Sequence, residues 1–444
     1  LSTNDKSTVQ KTGILSKSFS TLVVRLIGMG LTYLFNIAVA QIYGPEVFGL
    51  FAIGQMVLMV GAAIAKGGLD ISFLQISSSK PIQDQQGKLK SDYKKTAFSI
   101  FVWGILLTSI GWFVLPYIAE KVFEKPNSLP YLRIAILGII PLALTRLNGE
   151  ALRSQGKVEQ YVSLDRIFPS GLTILMVVTI GLMYPYPTVM FWLYNIALVF
   201  TCIYSFAIWY RQSQLGKFRS EHRYSYTDLI KRGFPMLISG MLFLIMGWTD
   251  QFVLAIYVSE ESIGHYHIAL KIANLTTLAL FSVNAITAPK MAHAYEMKEM
   301  KNLQSIVTNS ANLVFIALIP VTIVIISFSD FFLGLFGESF TLAKSALIIL
   351  ICGQLVNSLS GSVMYLLQMT GNQVYSQYVL IVTAILNLVL NIILVPEYGM
   401  EGAAISTAIS TAVWNIISAI VVKKKLNIIA IASPLSIRKS LKEL

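Results

Sequence analysis

The sequence predicts an all-α polytopic membrane protein, with about twelve transmembrane helices in two six-helix lobes and both termini in the cytoplasm. Three observations carry that expectation: an apolar composition, a one-sided distribution of basic residues, and an echo between the two halves. Of 444 residues, 55% are hydrophobic and 13% charged, where a soluble domain has about 25% charged. The mean hydropathy is +0.67. Apolar runs long enough to cross about 30 Å of hydrocarbon recur along the chain. They fall at 19–41, 48–69, 96–119, 130–152, 161–183, 188–210, 230–255, 262–287, 304–327, 340–368, 375–395 and 402–422.

Numbering these runs places the charge. The N-terminal tail has Lys6, Lys11 and Lys17, and the even-numbered connections and C-terminal tail carry most of the remaining lysines and arginines. Examples are Lys88, Lys90, Lys94 and Lys95 in the second connection, Arg211, Lys217, Arg219 and Arg223 in the sixth, and Lys423–Lys425 at the end. Only the tenth, around Thr370–Val374, lacks charge. The odd-numbered connections hold Lys121 and Lys125 beside a set of acids. Basic residues mark the cytoplasmic face, so the net charge of +12 is a topology signal and argues against nucleic acid. The N-terminal stretch is polar and carries no cleavable signal pattern.

The echo sets the internal symmetry. Ile42–Gly54 returns as Ile256–Ala269, aligning Gly49 with Gly264 at an offset of 215 residues. The same offset pairs Gly156 with Gly371, Phe19 with Phe234 and Leu22 with Leu237. A duplicated unit of six helices predicts two like-oriented lobes related by an axis along the membrane normal. The expected organisation is a cytoplasmic tail over 1–18, a first lobe over 19–210, a cytoplasmic linker over 211–229, a second lobe over 230–422 and a basic tail over 423–444.

Several function classes are excluded at this stage. The non-cytoplasmic connections are a handful to about ten residues long, too short to fold a catalytic domain. No G-x-x-x-x-G-K-[ST] phosphate loop occurs, so neither ATP hydrolysis nor enzymatic activity is expected. Cys202 and Cys352 sit inside apolar runs with no metal-ligand spacing. No cofactor or metal is expected.

Ionisable groups within spans cost about 2.5–3.5 kcal/mol on insertion scales and mark pathways. Among them are Arg25, Lys66, Asp70, Arg146, Glu150, Asp165, Arg166, Asp250, Lys271 and Lys344. Lys271 lies about ten residues into its run, too deep to snorkel easily. With His267 and Asn274 it forms one stripe at helical spacing. Similar polar stripes run through Arg25, Thr32 and Asn36 in the first span, Gln55 and Lys66 in the second, and Ser239 and Asp250 in the seventh. Such faces on spans 1, 2, 7 and 8 suit a water-filled cleft.

The bland alternatives are local. Arg25, Arg146 and Arg166 are each near a cytoplasmic end and can snorkel. Arg146 can pair with Glu150, and Asp70 with Lys66, at i, i+4. Lys344 reads as an interfacial anchor. Asp250 fits three roles: counter-ion to Lys271, coupling-ion ligand, or interfacial residue.

The loop Tyr43–Ala52 (YGPEVFGLFA), the GGLD of Gly67–Asp70, the ALRSQGKVEQY of Ala151–Tyr161 and the VPEYGMEGAAISTAIS of Val395–Ser410 occur in that order. Together they resemble the signatures of the oligosaccharide-lipid flippases of the MATE-like (MOP) superfamily, which move O-antigen, capsule and exopolysaccharide repeat units. The resemblance implies a MATE-like fold opening alternately to either side of a bacterial inner membrane. It implies an undecaprenyl-pyrophosphate-linked oligosaccharide as substrate and membrane lipids and polysaccharide polymerase or assembly proteins as partners. It differs from lipid II flippases, which have two further C-terminal helices, so a lipid II substrate is not expected.

On this reading Lys271, Arg25, Arg146 and Arg166 offset the diphosphate, with His267, Asn274, Asn36 and Gln55 beside them. Asp250 and Asp70 are the coupling-ion or counter-ion candidates. An inside-negative potential itself drives an anionic headgroup outward by about 2.3 kcal/mol per charge per 100 mV. Two rival readings stay open: a MATE-type multidrug antiporter, which would want an acidic cavity, and a non-transporting scaffold of glycan assembly.

Overall fold

The computed structural model describes residues 3–78, 86–213 and 224–432. Several basic residues of the expected cytoplasmic face, Lys80, Lys217, Arg219, Arg223, Arg438, Lys439 and Lys442, lie outside the described residues, as do the side chains of Lys6, Lys11, Lys17 and Ser239. Among the described residues the chain is helical, with no strand. In order the helices are α1 Thr3–Lys66, α2 Leu69–Ser78, α3 Gln86–Tyr117, α4 Leu129–Leu137, α5 Ile139–Ser154, α6 Val158–Val162, α7 Phe168–Met176 and α8 Pro187–Ser213. They continue as α9 Tyr226–Tyr257, α10 Glu260–Asn274, α11 Thr277–Glu296, α12 Met300–Ser327, α13 Ser329–Gly334, α14 Lys344–Ser360, α15 Val363–Met369 and α16 Gln373–Leu426.

Among the described residues eight helical stretches are long and apolar enough to cross a membrane, and α9, bent by 46°, makes nine. The count falls short of twelve for two physical reasons. First, Val23–Lys66 (44 residues) and Gln373–Leu426 (54 residues) each exceed the roughly 20 residues a single crossing needs. Each is interrupted once, at Gly44 (φ 79, ψ 175) and Gly399 (φ 56, ψ −129), conformations that glycine reaches without a Cβ clash. Both breaks fall in connections that the sequence places between spans. Second, the eighth run is divided into α10 and α11. There Thr276 Oγ1 donates to Ala273 O at 2.6 Å and Thr277 Oγ1 to Asn274 O at 2.7 Å, local bonds that compete with the helix ladder.

The chain divides into two compact units, Leu1–Gly44 with Ile53–Met241, and Pro45–Ala52 with Leu242–Leu444. In the first unit α5 packs against α2, α3 and α8. Phe73 meets Trp209 edge-on at 6.2 Å and Tyr93 at 5.9 Å. Beneath them Tyr93 Oη donates to Asn148 Oδ1 at 2.6 Å, and Asn148 Nδ2 to Ser205 Oγ at 2.8 Å. This buried polar chain is satisfied internally, as apolar surroundings require.

In the second unit α14 and α15 pack on α16, and α11 on α12. Phe48 stands edge-on to Phe340 at 6.1 Å and beside the His267 ring at 5.7 Å. A non-helical segment follows α16 and packs back on the unit. Gln304 holds Ile429 by both its amide and its carbonyl at 2.8 Å, and Ala432 N donates to Leu359 O at 2.8 Å.

The repeat offset is visible in the backbone. Gly156 (φ 76) and Gly371 (φ 75) adopt the same turn. Lys157 N donates to Leu152 O at 3.1 Å and Asn372 N to Leu367 O at 2.8 Å, the same helix-ending bond 215 residues apart. Gly49 and Gly264 do more than correspond: they meet. A Cβ on Gly49 would overlap the Glu260 carbonyl, and one on Gly264 the Pro45 carbonyl. Within the second unit these helices therefore cross backbone to backbone, a contact open to small residues alone.

Candidate functional site

The second unit buries one carboxylate among neutral donors. α9 presents Asp250, and α10 and α16 supply its partners. Tyr266 Oη donates to Oδ2 at 2.5 Å, and Thr407 Oγ1 bonds the same oxygen. Asn387 Nδ2 and Asn391 Nδ2 donate to Oδ1 at 3.2 and 2.8 Å. Asn387 and Asn391 share one face of α16 at i, i+4, while Thr407 lies beyond the Gly399 break. A single interrupted helix thus delivers three of the four donors from its two arms. Asp250 is 6% exposed.

The amide oxygens of Asn387 and Asn391 are buried and have no hydrogen-bond partner among the described residues. A carboxylate with amide oxygens beside it is the donor set of a hard cation. No group of three or more His, Cys, Asp or Glu suited to a metal occurs among the described residues.

Next to this network, Gln251 Nε2 is hydrogen-bonded to His267 Nδ1. Lys271 is half-buried in the last turn of α10 and Asn274, at its end, is exposed. The sequence places Lys271 mid-helix; the break at Leu275–Thr276 puts it at a helix C-terminus instead. Carbonyls left over there favour a cation. A break inside an apolar run is tolerated where the freed backbone meets protein or a water-filled cavity.

The first unit holds its charges differently. Lys66 Nζ bonds Asp70 Oδ2 at 2.5 Å, with Asp70 buried, so Asp70 has the local partner that its spacing allowed. Arg146 is ion-paired with Asp165, which Arg166 Nε also approaches at 3.6 Å. Arg146 therefore does not take Glu150 as its partner. Glu150 pairs with Arg153 at 3.2 Å. Arg25 is exposed, Asn36 is fully buried with Nδ2 donating to Thr32 O at 2.6 Å, and Gln55 shares a hydrogen bond with Tyr194. The second unit has an ion pair as well, at its surface: Lys344 bonds Asp330 at 2.7 Å with both side chains exposed.

Four of the network residues, Tyr266, Asn387, Asn391 and Thr407, were not singled out by sequence reasoning. The available signal was the pair of asparagines four apart in the apolar run 375–395. At the repeat offset, Asp250, Tyr266, Asn387, Asn391 and Thr407 fall on Phe35, Phe51, Leu172, Met176 and Trp192. All five counterparts are apolar. The network is therefore a property of the second half alone and is not demanded by the scaffold.

The comparisons agree with this architecture. A probable low-salt glycan biosynthesis flippase of Haloferax volcanii is 29% identical over 173 residues, which is 39% of this chain and 37% of that protein. A probable flippase of the same organism is 25% identical over 201 residues, or 44% of this chain and 40% of that protein. These matches span about two fifths of the relatives' length. Among solved structures, an inward-facing MATE-family multidrug resistance transporter of the MOP superfamily gives a TM-score of 0.75 at 16% identity, covering 94% of this chain and 99% of that one. The lipid II flippase MurJ in an inward closed conformation gives 0.71 at 17% identity, covering 96% and 91%. These likenesses establish the fold. A family model described as polysaccharide biosynthesis protein matches residues 38–345, more than half the chain, and the protein belongs to that family.

Proposed function

We propose that this protein is a flippase that carries a polyprenyl-diphosphate-linked oligosaccharide from the cytoplasmic to the outer leaflet. The carrier expected from the sequence resemblance is undecaprenyl, in a bacterial inner membrane. On this reading the chain crosses the membrane twelve times with both termini inside, Gly44 and Gly399 marking two of the outer turns. The observation that carries the reading is Lys271, a half-buried lysine in the last turn of a helix broken inside an apolar run. A diphosphate brings about two negative charges into low dielectric, and a cation beside a helix end offsets them. The flippase relatives and the family match support the same direction. Arg25, Arg146 and Arg166 join the headgroup path, the latter two on release from Asp165.

Asp250 serves as the coupling-ion ligand in this proposal. Its carboxylate, with the unpartnered oxygens of Asn387 and Asn391, makes an all-oxygen set that suits sodium better than an organic cation. The ion would take the place of one or more of the four donors that now hold Asp250. Asp70, held by Lys66, is assigned no ion.

The test is reconstitution in liposomes with a fluorescent polyprenyl-diphosphate-linked N-acetylglucosamine, whose outer-leaflet fraction is read by a membrane-impermeant quencher. Translocation by the wild type, lost in Lys271→Ala at unchanged insertion, supports the reading. Translocation equal in Lys271→Ala and wild type contradicts it. Export of cationic dyes in place of the lipid would favour the antiporter.

A further inference from the structure

The second unit contains a cavity of about 590 Å³, in the size range of small-ligand sites. It lies among α11, α14, α15 and α16 and is lined by Asn284, Gln354, Asn357, Asn415, Tyr365 and Trp414, with hydroxyls between them. No carboxylate, amine, guanidinium or imidazole lines it among the described residues. We propose that this cavity is a binding site for a neutral carbohydrate ring. The inference deepens the flippase reading and rests on it for the source of the sugar.

The hydrogen bonds give the first argument. Asn415 Nδ2 donates to Asn357 Oδ1 at 3.0 Å, and Asn357 Nδ2 to Gln354 Oε1 at 3.2 Å. This relay of amides ends on Gln354, whose own amide group remains to donate. Ser362 Oγ donates to Asn284 Oδ1. Asn284 Nδ2 is buried with no partner among the described residues. A buried amide left unpaired costs about 1–3 kcal/mol, and a hydroxyl-bearing ligand would relieve that cost. A pyranose hydroxyl accepts and donates at once, matching amides that offer both functions. Trp414 and Tyr365 add apolar ring faces of the kind that cover C–H surfaces of a sugar.

The repeat gives the second argument. At the offset of 215, Asn284, Gln354, Asn357, Trp414 and Asn415 fall on Leu69, Ile139, Leu142, Val199 and Phe200. The first half carries apolar side chains at these five positions, so packing does not require the amides. Conversely, Gly361, Tyr365 and Gln368 fall on Arg146, Glu150 and Arg153, the ion-paired residues of the first unit. At Tyr365 and Gln368 the cavity carries neutral hydrogen-bonding groups where the first half has charge. Gly361 (φ 58) ends α14, where a Cβ would meet Ala311 Cα at 2.8 Å, and residues on both sides of the turn line the cavity.

Saturation-transfer NMR on the full chain in nanodiscs tests the site. One arm uses free methyl glycosides of glucose and N-acetylglucosamine; the other uses phytanyl-diphosphate-linked N-acetylglucosamine. The variants are Asn357→Leu/Asn415→Phe, which install the first half's residues, and Trp414→Leu, which leaves the amides in place. The site predicts transfer to sugar ring protons that falls by about tenfold in variants retaining the wild-type elution profile and melting temperature, the scale of one or two lost hydrogen bonds. Transfer in both arms means a site for sugars from water or lipid; transfer in the second arm alone assigns the lipid-linked source. Transfer unchanged in the variants, or absent from both arms, overturns the proposal. Liposome translocation is measured in parallel. Variants that keep both sugar contact and flipping sink the cavity alone, whereas a wild type that does not flip sinks the flippase reading and leaves the NMR result to decide the cavity.

Discussion

The two units share a repeat, yet they handle polar groups in opposite ways. In the first unit several of the charges within spans are held in ion pairs: Lys66 with Asp70, Arg146 and Arg166 with Asp165, and Arg153 with Glu150. Among the described residues of the second unit a single buried carboxylate is held by neutral donors, and a neutral amide cavity lies elsewhere in the same unit. The backbone turns at Gly156 and Gly371 coincide within about a degree of φ, so the scaffold does not cause the difference. Side-chain replacement on a common frame does. The glycines that set helix ends and crossings correspond between the halves, while the polar positions differ.

The comparison can be broken in several ways. The largest expected effect is on Lys271. Lys271→Ala should lower liposome translocation by about tenfold or more, as expected for a lost charge-assisted contact of about 1.5–3 kcal/mol, and Lys271→Arg should restore most of it. Next come the crossing glycines. Gly264→Val should destabilise the second unit by about 1–3 kcal/mol through overpacking against the Pro45 carbonyl, read as a fall in melting temperature. The same change at Gly371, where added atoms meet open space but φ is 75, should act through backbone strain and cost less.

A smaller effect is expected at the buried hydrogen bonds of the first unit. Tyr93→Phe leaves Asn148 short of one donor and should cost about 1 kcal/mol, with translocation unaffected. An equal loss of flipping would mean that the first unit's polar core is functional.

The smallest effect is at the start of α9. Ser225 and Asp228 form a reciprocal cap, Ser225 N donating to Asp228 Oδ2 at 3.1 Å and Asp228 N to Ser225 Oγ at 3.1 Å. The Ser225 hydroxyl, then its backbone N–H, holds the Asp228 carboxyl below the usual carboxylate range. A depressed folded-state value means the stabilisation is present above the unfolded-state pKa and is lost as pH falls through the folded one. The protection of the Ser225 amide, its exchange measured against the intrinsic rate at each pH, should therefore fall on acidification below about pH 4, and Asp228→Asn should flatten that dependence.

Much of the frame was legible in the sequence because glycine and hydrophobic length act locally. Gly49, Gly156, Gly264 and Gly371 announced the repeat, and each occupies a turn or a crossing. The length of each apolar run was equally plain, and every described run is helical. The break after Asn274 was harder to see. It depends on Thr276 and Thr277 turning their hydroxyls back on the backbone, a choice that composition alone does not reveal.

The site was legible only in part. Asp250 stood out as a charge in lipid, whereas Asn387, Asn391 and Thr407 are 137 to 157 residues away and meet it through tertiary packing. Arg146 shows the same limit. Its neighbour Glu150 lay at ideal helical spacing, yet Asp165 on another segment became the partner. Local spacing offers a pair; the fold chooses which one forms.

The central claim is that one carboxylate, in the second unit, carries ion chemistry while its acidic peers in the first unit carry structure. Sodium-dependent translocation in liposomes tests it most directly, comparing Asp250→Asn with Asp70→Asn. The account predicts that Asp250→Asn inserts normally and loses the sodium dependence, while Asp70→Asn keeps it and melts at a lower temperature. Sodium dependence retained in Asp250→Asn and lost in Asp70→Asn would contradict it.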